Sequence, residues 1–324
     1  METTINVGCV ANDKYAQHAG VMLCSLLENT KYRNKVKIFF VDSGLSQNNK
    51  NNLQFLVNSY GARVSFIKVN KKKFSNLKIC GHLGLETYYR FSLFDDKNIS
   101  RILYLDSDMV ILDDISKLFS INFQEKIILA VKELAVSQDK IKSLNIPSNG
   151  SYFNAGLLLV DCEQWRKKEI TKKLILFMQK NSKKIEWGDQ DGLNAILFRS
   201  WKELNPTWNV INNAYFKYFF FSPAARYENF NRRKVGSIIH NARIIHYAGW
   251  GGEMKPWSPW LIHPRRSKYY FYLSKTPWSN FKISESIFVS IFKKAYMKVY
   301  IHLTALLYLL QPDKTDLYHS ALQG

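Results

Sequence analysis

Over the first two hundred residues, short apolar runs alternate with segments of helical periodicity. INVGCVA (5–11), VKIFFVD (36–42), RVSFIKV (63–69), RILYLD (101–106) and AGLLLVD (155–161) read as strands. Between the first of them, Val21, Leu23, Leu26 and Leu27 fall in one helical stretch and Leu53, Phe55, Leu56 and Val57 in another, while KEITKKLILFMQKN (168–181) is an amphipathic helix. Strand and helix in alternation predict βαβ units, so the expected fold is α/β with a mainly parallel sheet flanked by helices. In such sheets ligands sit beyond the carboxyl ends of the strands, which directs attention to polar residues at those exits.

Composition narrows the class. With 324 residues, 46% hydrophobic, including 8 Trp, 18 Tyr and 21 Phe, the chain has ample material for a core, and whole-chain disorder is excluded. Cys9, Cys24, Cys80 and Cys162 are far apart with no CxxC, which argues against structural zinc and suits free thiols in a reducing cytoplasm. METTINVGCVANDKY has neither a basic nor an apolar leader segment, so export is not expected. The formal charge of +20 calls for an anionic partner: a phosphorylated substrate, an anionic membrane or nucleic acid.

Five segments could carry chemistry. In RILYLDSDMVILDDI (101–115), Asp106 and Asp108 sit between apolar runs. If the chain there is extended, both carboxylates face one hard cation and Ser107 faces away; a solvated turn is the alternative. HLGLETYYRF (82–91) offers His82, Thr87, Tyr88 and Arg90, or simply a half-buried helix with Tyr88, Tyr89 and Phe91 in the core. In SYFNAGLLLVDCEQW (151–165), Asn154, Ala155 and Gly156 precede a buried strand, either as a ligand-approaching backbone or as a plain turn. Asp189, Gln190 and Asp191 crowd a helix start, where capping by Asp189 would explain one acid of the two. ARIIHYAGWGGEMKPW (242–257) runs from His246 through glycines to Lys255, a loop suited to cradling phosphate. Two carboxylates with one imidazole fit Mn²⁺ or Mg²⁺ better than zinc.

LYLDSD, FNAGLLLVD, DQDGLN, HYAG and KPW, in that order, resemble the motifs of glycosyltransferase family 8, the retaining GT-A enzymes that include bacterial lipooligosaccharide galactosyl- and glucosyltransferases. The likeness runs from about residue 5 to about 260. It implies a Rossmann-like GT-A domain over 1–264 that moves galactose or glucose from a UDP-sugar to a saccharide acceptor such as a lipid-linked surface glycan. By that resemblance Asp106, Asp108 and His246 hold Mn²⁺, with Ser107 beside them, and Gly249 and Lys255 meet the phosphates. Val10, Ala11, Asn12 and Tyr15 form the nucleotide-binding first loop. His82 and Arg90 lie near the nucleotide-sugar, Asn154, Asp189 and Gln190 line the donor sugar, and Glu133 lies near donor and acceptor. We expect the Gln190 amide oxygen to stabilise an oxocarbenium-like sugar while the departing phosphate helps deprotonate the acceptor.

The last segment, 265–324, is expected to be a basic tail. Between 265 and 311 it has eight Lys/Arg, one acid (Glu285) and eleven aromatics. Phe288, Phe292, Ala295, Val299, Leu303, Leu306 and Leu310 recur on one helical stripe, and the longest charge-free stretch is too short to span a bilayer. A basic amphipathic helix lying on an anionic membrane is the preferred reading, with a helix docked on the catalytic domain as the alternative. The protein is therefore expected at the inner face of the cell membrane, peripherally attached. A non-catalytic sugar-nucleotide or glycan-binding protein on the same fold is the alternative function. Nucleic acid is not an expected partner, because no recognised nucleic-acid motif accompanies the charge.

Overall fold

The computed structural model describes residues 4–80, 84–133, 136–147, 149–215, 232–248, 255–258 and 263–281. Along the chain come β1 (Ile5–Ala11), β2 (Val36–Asp42), β3 (Arg63–Lys68), β4 (Arg101–Leu105), β5 (Met109–Ile111), β6 (Ile128–Lys132), β7 (Phe153–Asp161), β8 (Trp201–Glu203), β9 (Val210–Ile211) and β10 (Ile244–His246). The main sheet has the order β3-β2-β1-β4-β7-β6-β8, and a small sheet has the order β5-β10-β9. Pairing in the main sheet is parallel except for β7, which runs antiparallel to both β4 and β6. The mainly parallel α/β architecture expected from the alternating pattern is thus the one observed.

Each central strand feeds two cores. On β4, Ile102 and Tyr104 pack with Phe91, Phe94 and Trp165 on one face, while Leu103 and Leu105 meet Leu23, Leu26 and Leu27 on the other. This is the strand period of two. The second face is covered by α1 (Ala16–Asn29) and α2 (Gln47–Ser59). β7 is buried on both faces, which accounts for its unbroken apolar run.

The strand also carries the one irregularity that matters for the site. Ala130 pairs with Leu158, yet Val131 pairs with Asn154, so β7 has extra residues between these pairs. Phe153 and Ala155 lie on the same side as Leu158 and Val160, while Leu157 and Leu159 lie on the other, so the facing switches at Gly156. Asn154, expected before the strand, therefore sits inside it with Ala155 and Gly156, because Phe153 and Asn154 extend the ladder to Lys132 and Val131.

A third apolar group joins α1 to the small sheet and to the helix Arg266–Leu273. Tyr269 Oη lies 2.6 Å from His18 Nδ1, Asn29 Nδ2 donates to Tyr272 Oη at 2.8 Å, and Lys275 pairs with Glu28 at 2.8 Å. The ring of Trp278 packs so closely on Gly20 that a Cβ there would clash with it. The first part of the expected tail is thus docked on α1. The stripe from Phe288 to Leu310 lies outside the described residues. Among the described residues no helix is long and apolar enough to cross a membrane.

Leu158 is fully buried in the middle of β7, whereas Leu176 is 58% exposed. Leu158→Ala is expected to cost about 2–5 kcal/mol, read as a lower urea midpoint at unchanged slope. Leu176→Ala is expected to stay within about 0.5 kcal/mol of the wild type.

Candidate active site

The chain leaves β4 at Leu105, turns through residues 106–108, and enters β5 in the other sheet. The turn is pinned at both ends: Asp106 N donates to Gly156 O at 2.9 Å and Tyr247 N donates to Asp108 O at 3.0 Å. Antiparallel pairing sets Met109 opposite His246. Two sheets thereby deliver Asp106, Asp108 and His246 to one point, with a ligand atom from each lying within 4.8 Å of the others. The 106–108 segment is a turn and not an extended strand, and Ser107 lines the same cavity as the two acids.

Gly156 is the wall of this cluster. A Cβ there would strike the His246 ring and come within 2.8 Å of Asp106 Oδ2. His246 Nε2 is buried without a hydrogen-bond partner, 3.2 Å from Asp108 Oδ1 and 3.7 Å from Asp106 Oδ2. An orphaned imidazole nitrogen facing two carboxylates over a bare glycine fits a hard divalent cation such as Mn²⁺ or Mg²⁺.

The carboxylates are held by cations of the chain. Asp106 Oδ1 accepts from Tyr104 Oη at 2.9 Å and from Arg90 Nη2 at 3.2 Å, leaving Oδ2 toward His246. The Arg90 guanidinium lies 4.2 Å over the Tyr104 ring centre, donates to Ala155 O at 2.6 Å and pairs with Asp189 Oδ2 at 3.0 Å. Burial would raise the Asp108 carboxyl, but the Lys255 ammonium and the His246 imidazole beside it outweigh burial and hold it well below the usual carboxylate range. Lys255 Nζ bonds Asp108 Oδ2 and donates to Tyr247 O at 2.8 Å. Asp189 goes the other way: burial pushes it up to about 6 against the pull of Arg90, which is shared with Asp106.

The opposite wall is α9 (Asp189–Leu197), entered through Gly188 at φ 57°, the left-handed region open to glycine. Gly188, not Asp189, occupies the N-cap. Gln190 Oε1 accepts from Ala155 N at 2.9 Å, which fixes the side chain against the irregular part of β7. Asp191 lies away from the cavity lining, fully buried. It accepts from Tyr152 Oη, Glu186 N and Trp187 N at 2.7, 2.7 and 2.9 Å and pairs with Lys140 at 2.9 Å, so it braces the turn that presents its two neighbours.

Between these walls is a cavity of about 740 Å³, the size of a small-molecule site. Val10, Ala11, Asn12 and Tyr15 line it at the exit of β1, together with Thr87, Arg90, Glu133, Asn154, Asp189 and Gln190 and with Asp106, Asp108, His246 and Lys255. Asn12 Oδ1 accepts from Tyr15 N at 3.3 Å. Tyr88, Tyr89 and Phe91 are core residues, so HLGLETYYRF serves packing and cavity at once. His82 and Gly249 lie outside the described residues. Sequence reasoning missed three contributors. Tyr104 could have been found from its place two residues before Asp106. Asn209, 2.9 Å from His246 Nδ1, and His18, stacked on Trp257 with ring centres 3.5 Å apart, follow no motif.

A family model described as glycosyl transferase family 8 matches residues 6–261. The chain belongs to glycosyltransferase family 8. This family 8 protein is 34% identical over 278 residues to general stress protein A of Bacillus subtilis (strain 168), covering 84% of this chain and 94% of that one. It is 25% identical over 296 residues to lipopolysaccharide 1,2-glucosyltransferase of Escherichia coli (strain K12), covering 90% and 84%. Its fold resembles that of galactosyltransferase LgtC, solved in complex with donor and acceptor sugar analogs, with a TM-score of 0.72, 21% identity and coverage of 84% and 96%.

Gly156→Ala is expected to fold, with the melting temperature shifted by only a few degrees, and to lose Mn²⁺ affinity by about tenfold or more in a calorimetric titration, because the new methyl group occupies the space between His246 and Asp106.

Proposed function

We propose that this glycosyltransferase is a metal-dependent, retaining hexosyltransferase that moves galactose or glucose from a UDP-sugar to a saccharide acceptor on a lipid-linked surface glycan of lipopolysaccharide type. One observation carries the reading. The Asp106, Asp108 and His246 cluster shares one cavity with Lys255, Arg90, Asp189 and Gln190. The glucosyltransferase and galactosyltransferase named among the similar proteins support the choice of hexose and glycan.

Asp106, Asp108 and His246 would hold Mn²⁺, which would supply positive charge against the diphosphate leaving group. Lys255 adds a second positive charge to the same group, and its release from Asp108 makes that carboxylate available. Val10, Ala11, Asn12 and Tyr15 receive the nucleotide. Arg90, held by Ala155 O and Asp189, positions the donor sugar together with Asn154. Gln190 Oε1 keeps one lone pair beyond its bond to Ala155 N and faces developing positive charge at the anomeric carbon. Attack from the face the leaving group vacates preserves configuration, and the departing phosphate takes the acceptor proton.

The acceptor lies in a membrane on this reading. The described chain ends at Phe281, whose ring stands edge-on to His18 at 6.2 Å, and His18 stacks on Trp257, two residues from Lys255. The basic, aromatic segment that follows therefore starts near the cavity rim, where anionic headgroups would turn the cavity toward the bilayer. We place the membrane-associating tail beyond Phe281, on the cytoplasmic face.

A panel of UDP-sugars with Mn²⁺ and no acceptor, scored for slow hydrolysis, tests the donor. UDP-galactose or UDP-glucose is expected to be consumed. Asp108→Ala is expected to abolish this, and Gln190→Ala to reduce turnover by about 10²-fold or more at nearly unchanged UDP affinity. Metal-dependent turnover surviving in Asp108→Ala would refute the assignment. Truncation after Phe281 is expected to keep donor hydrolysis and to lose co-sedimentation with anionic vesicles.

A further inference from the structure

Asn209 ends a line of buried hydrogen bonds whose polarity is set at its far end. Gly156 N can only donate, and it donates to Asn154 Oδ1 at 3.0 Å. Glu133 Oε2, a carboxylate oxygen, accepts from Asn154 Nδ2 at 3.1 Å, so the Asn154 amide is oriented from both sides. Its Oδ1 must then receive Asn209 Nδ2, which lies at 2.9 Å. That turns Asn209 Oδ1, an acceptor only, toward His246 Nδ1 at 2.9 Å. Nδ1 can bond that oxygen only as N–H, which leaves Nε2, 3.2 Å from Asp108 and 3.7 Å from Asp106, as the nitrogen that can give a lone pair to a cation.

We propose that Asn209 is a positioning residue that locks His246 in the Nδ1–H tautomer and so prepares Nε2 as a ligand for the divalent cation. The proposal rests on the metal reading above. It also gives Glu133 and Asn154 a task distinct from contact with sugar, since they fix the direction of the whole line. A ligating histidine whose other nitrogen lacks its partner typically loses 10–100-fold in metal affinity.

Two measurements decide it. In wild-type protein labelled with ¹⁵N-histidine and saturated with diamagnetic Mg²⁺, the His246 ring is expected to show a protonated Nδ1 and an Nε2 without hydrogen. Asn209→Leu is expected to shift that ring toward the other tautomer and to weaken Mn²⁺ binding, followed by electron paramagnetic resonance of the free ion, by about 10–100-fold. Asn209→Asp, which still accepts from Nδ1–H but sets its second oxygen against Asn154 Oδ1, is expected to bind Mn²⁺ more tightly than Asn209→Leu while melting no higher than it. A purely structural role would make Mn²⁺ affinity follow stability across the two variants. Wild-type His246 protonated at Nε2, or undiminished Mn²⁺ affinity in Asn209→Leu, overturns the relay. Wild-type protein that binds no Mn²⁺ overturns the metal reading instead. If Asn209→Leu fails to fold, the wild-type tautomer still decides.

Discussion

Two carboxylates and an imidazole meet within 4.8 Å at Asp106, Asp108 and His246, and that crowding of negative charge governs what surrounds it. Arg90 and Tyr104 hold one oxygen of Asp106, and Lys255 holds one oxygen of Asp108. The two cations are in turn fixed by backbone carbonyls: Thr87 and Ala155 for Arg90, Tyr247 for Lys255. The site is therefore a balance of fixed charges whose donor set fits one further cation. Lys255 is buried, and although burial alone would lower its pKa, the Asp108 carboxylate raises it, so the two groups stay charged together.

The crowding is possible because two sheets meet there. β4 stops at Leu105, and β10 approaches antiparallel to the short strand that follows. The antiparallel β7 brings its beginning, not its end, to the same place, with the extra residues around Gly156 bending the backbone inward. A strictly parallel sheet would present only carboxyl ends here. Asp191 and Lys140 then brace the turn ahead of α9, so that Gln190 reaches Ala155 from the opposite wall.

Much of this was legible in the sequence, for physical reasons. Strand exits rich in polar residues stand out against ILYL and GLLLVD, because buried apolar runs leave few places where acids are tolerated. The strand ends, the pair Asp106 and Asp108, and His246 stand out in that way, while Asp189 and Gln190 stand out as polar residues crowding a helix start. Asn209 was not, since an uncharged amide in a short connection carries no periodicity or charge signal, and its partner is 37 positions away. The bulge in β7 was hidden for a related reason. A strand buried on both faces shows no alternation, so a switch of facing at Gly156 leaves the hydrophobic pattern unchanged. The split of the Asp189, Gln190 and Asp191 triplet into cavity residues and a brace depends on partners from Tyr152 and Lys140 that spacing does not reveal.

His18 has a consequence for how the segment bearing Lys255 responds to its surroundings. Burial brings its pKa down to about 3, so the ring stays uncharged across the whole range of acidity found in living cells. Its stack on Trp257 and its bond to Tyr269 are then contacts between neutral groups, indifferent to a falling pH. A drop in pH therefore leaves this latch in place, and the ion pair that holds Lys255 to Asp108 persists through it.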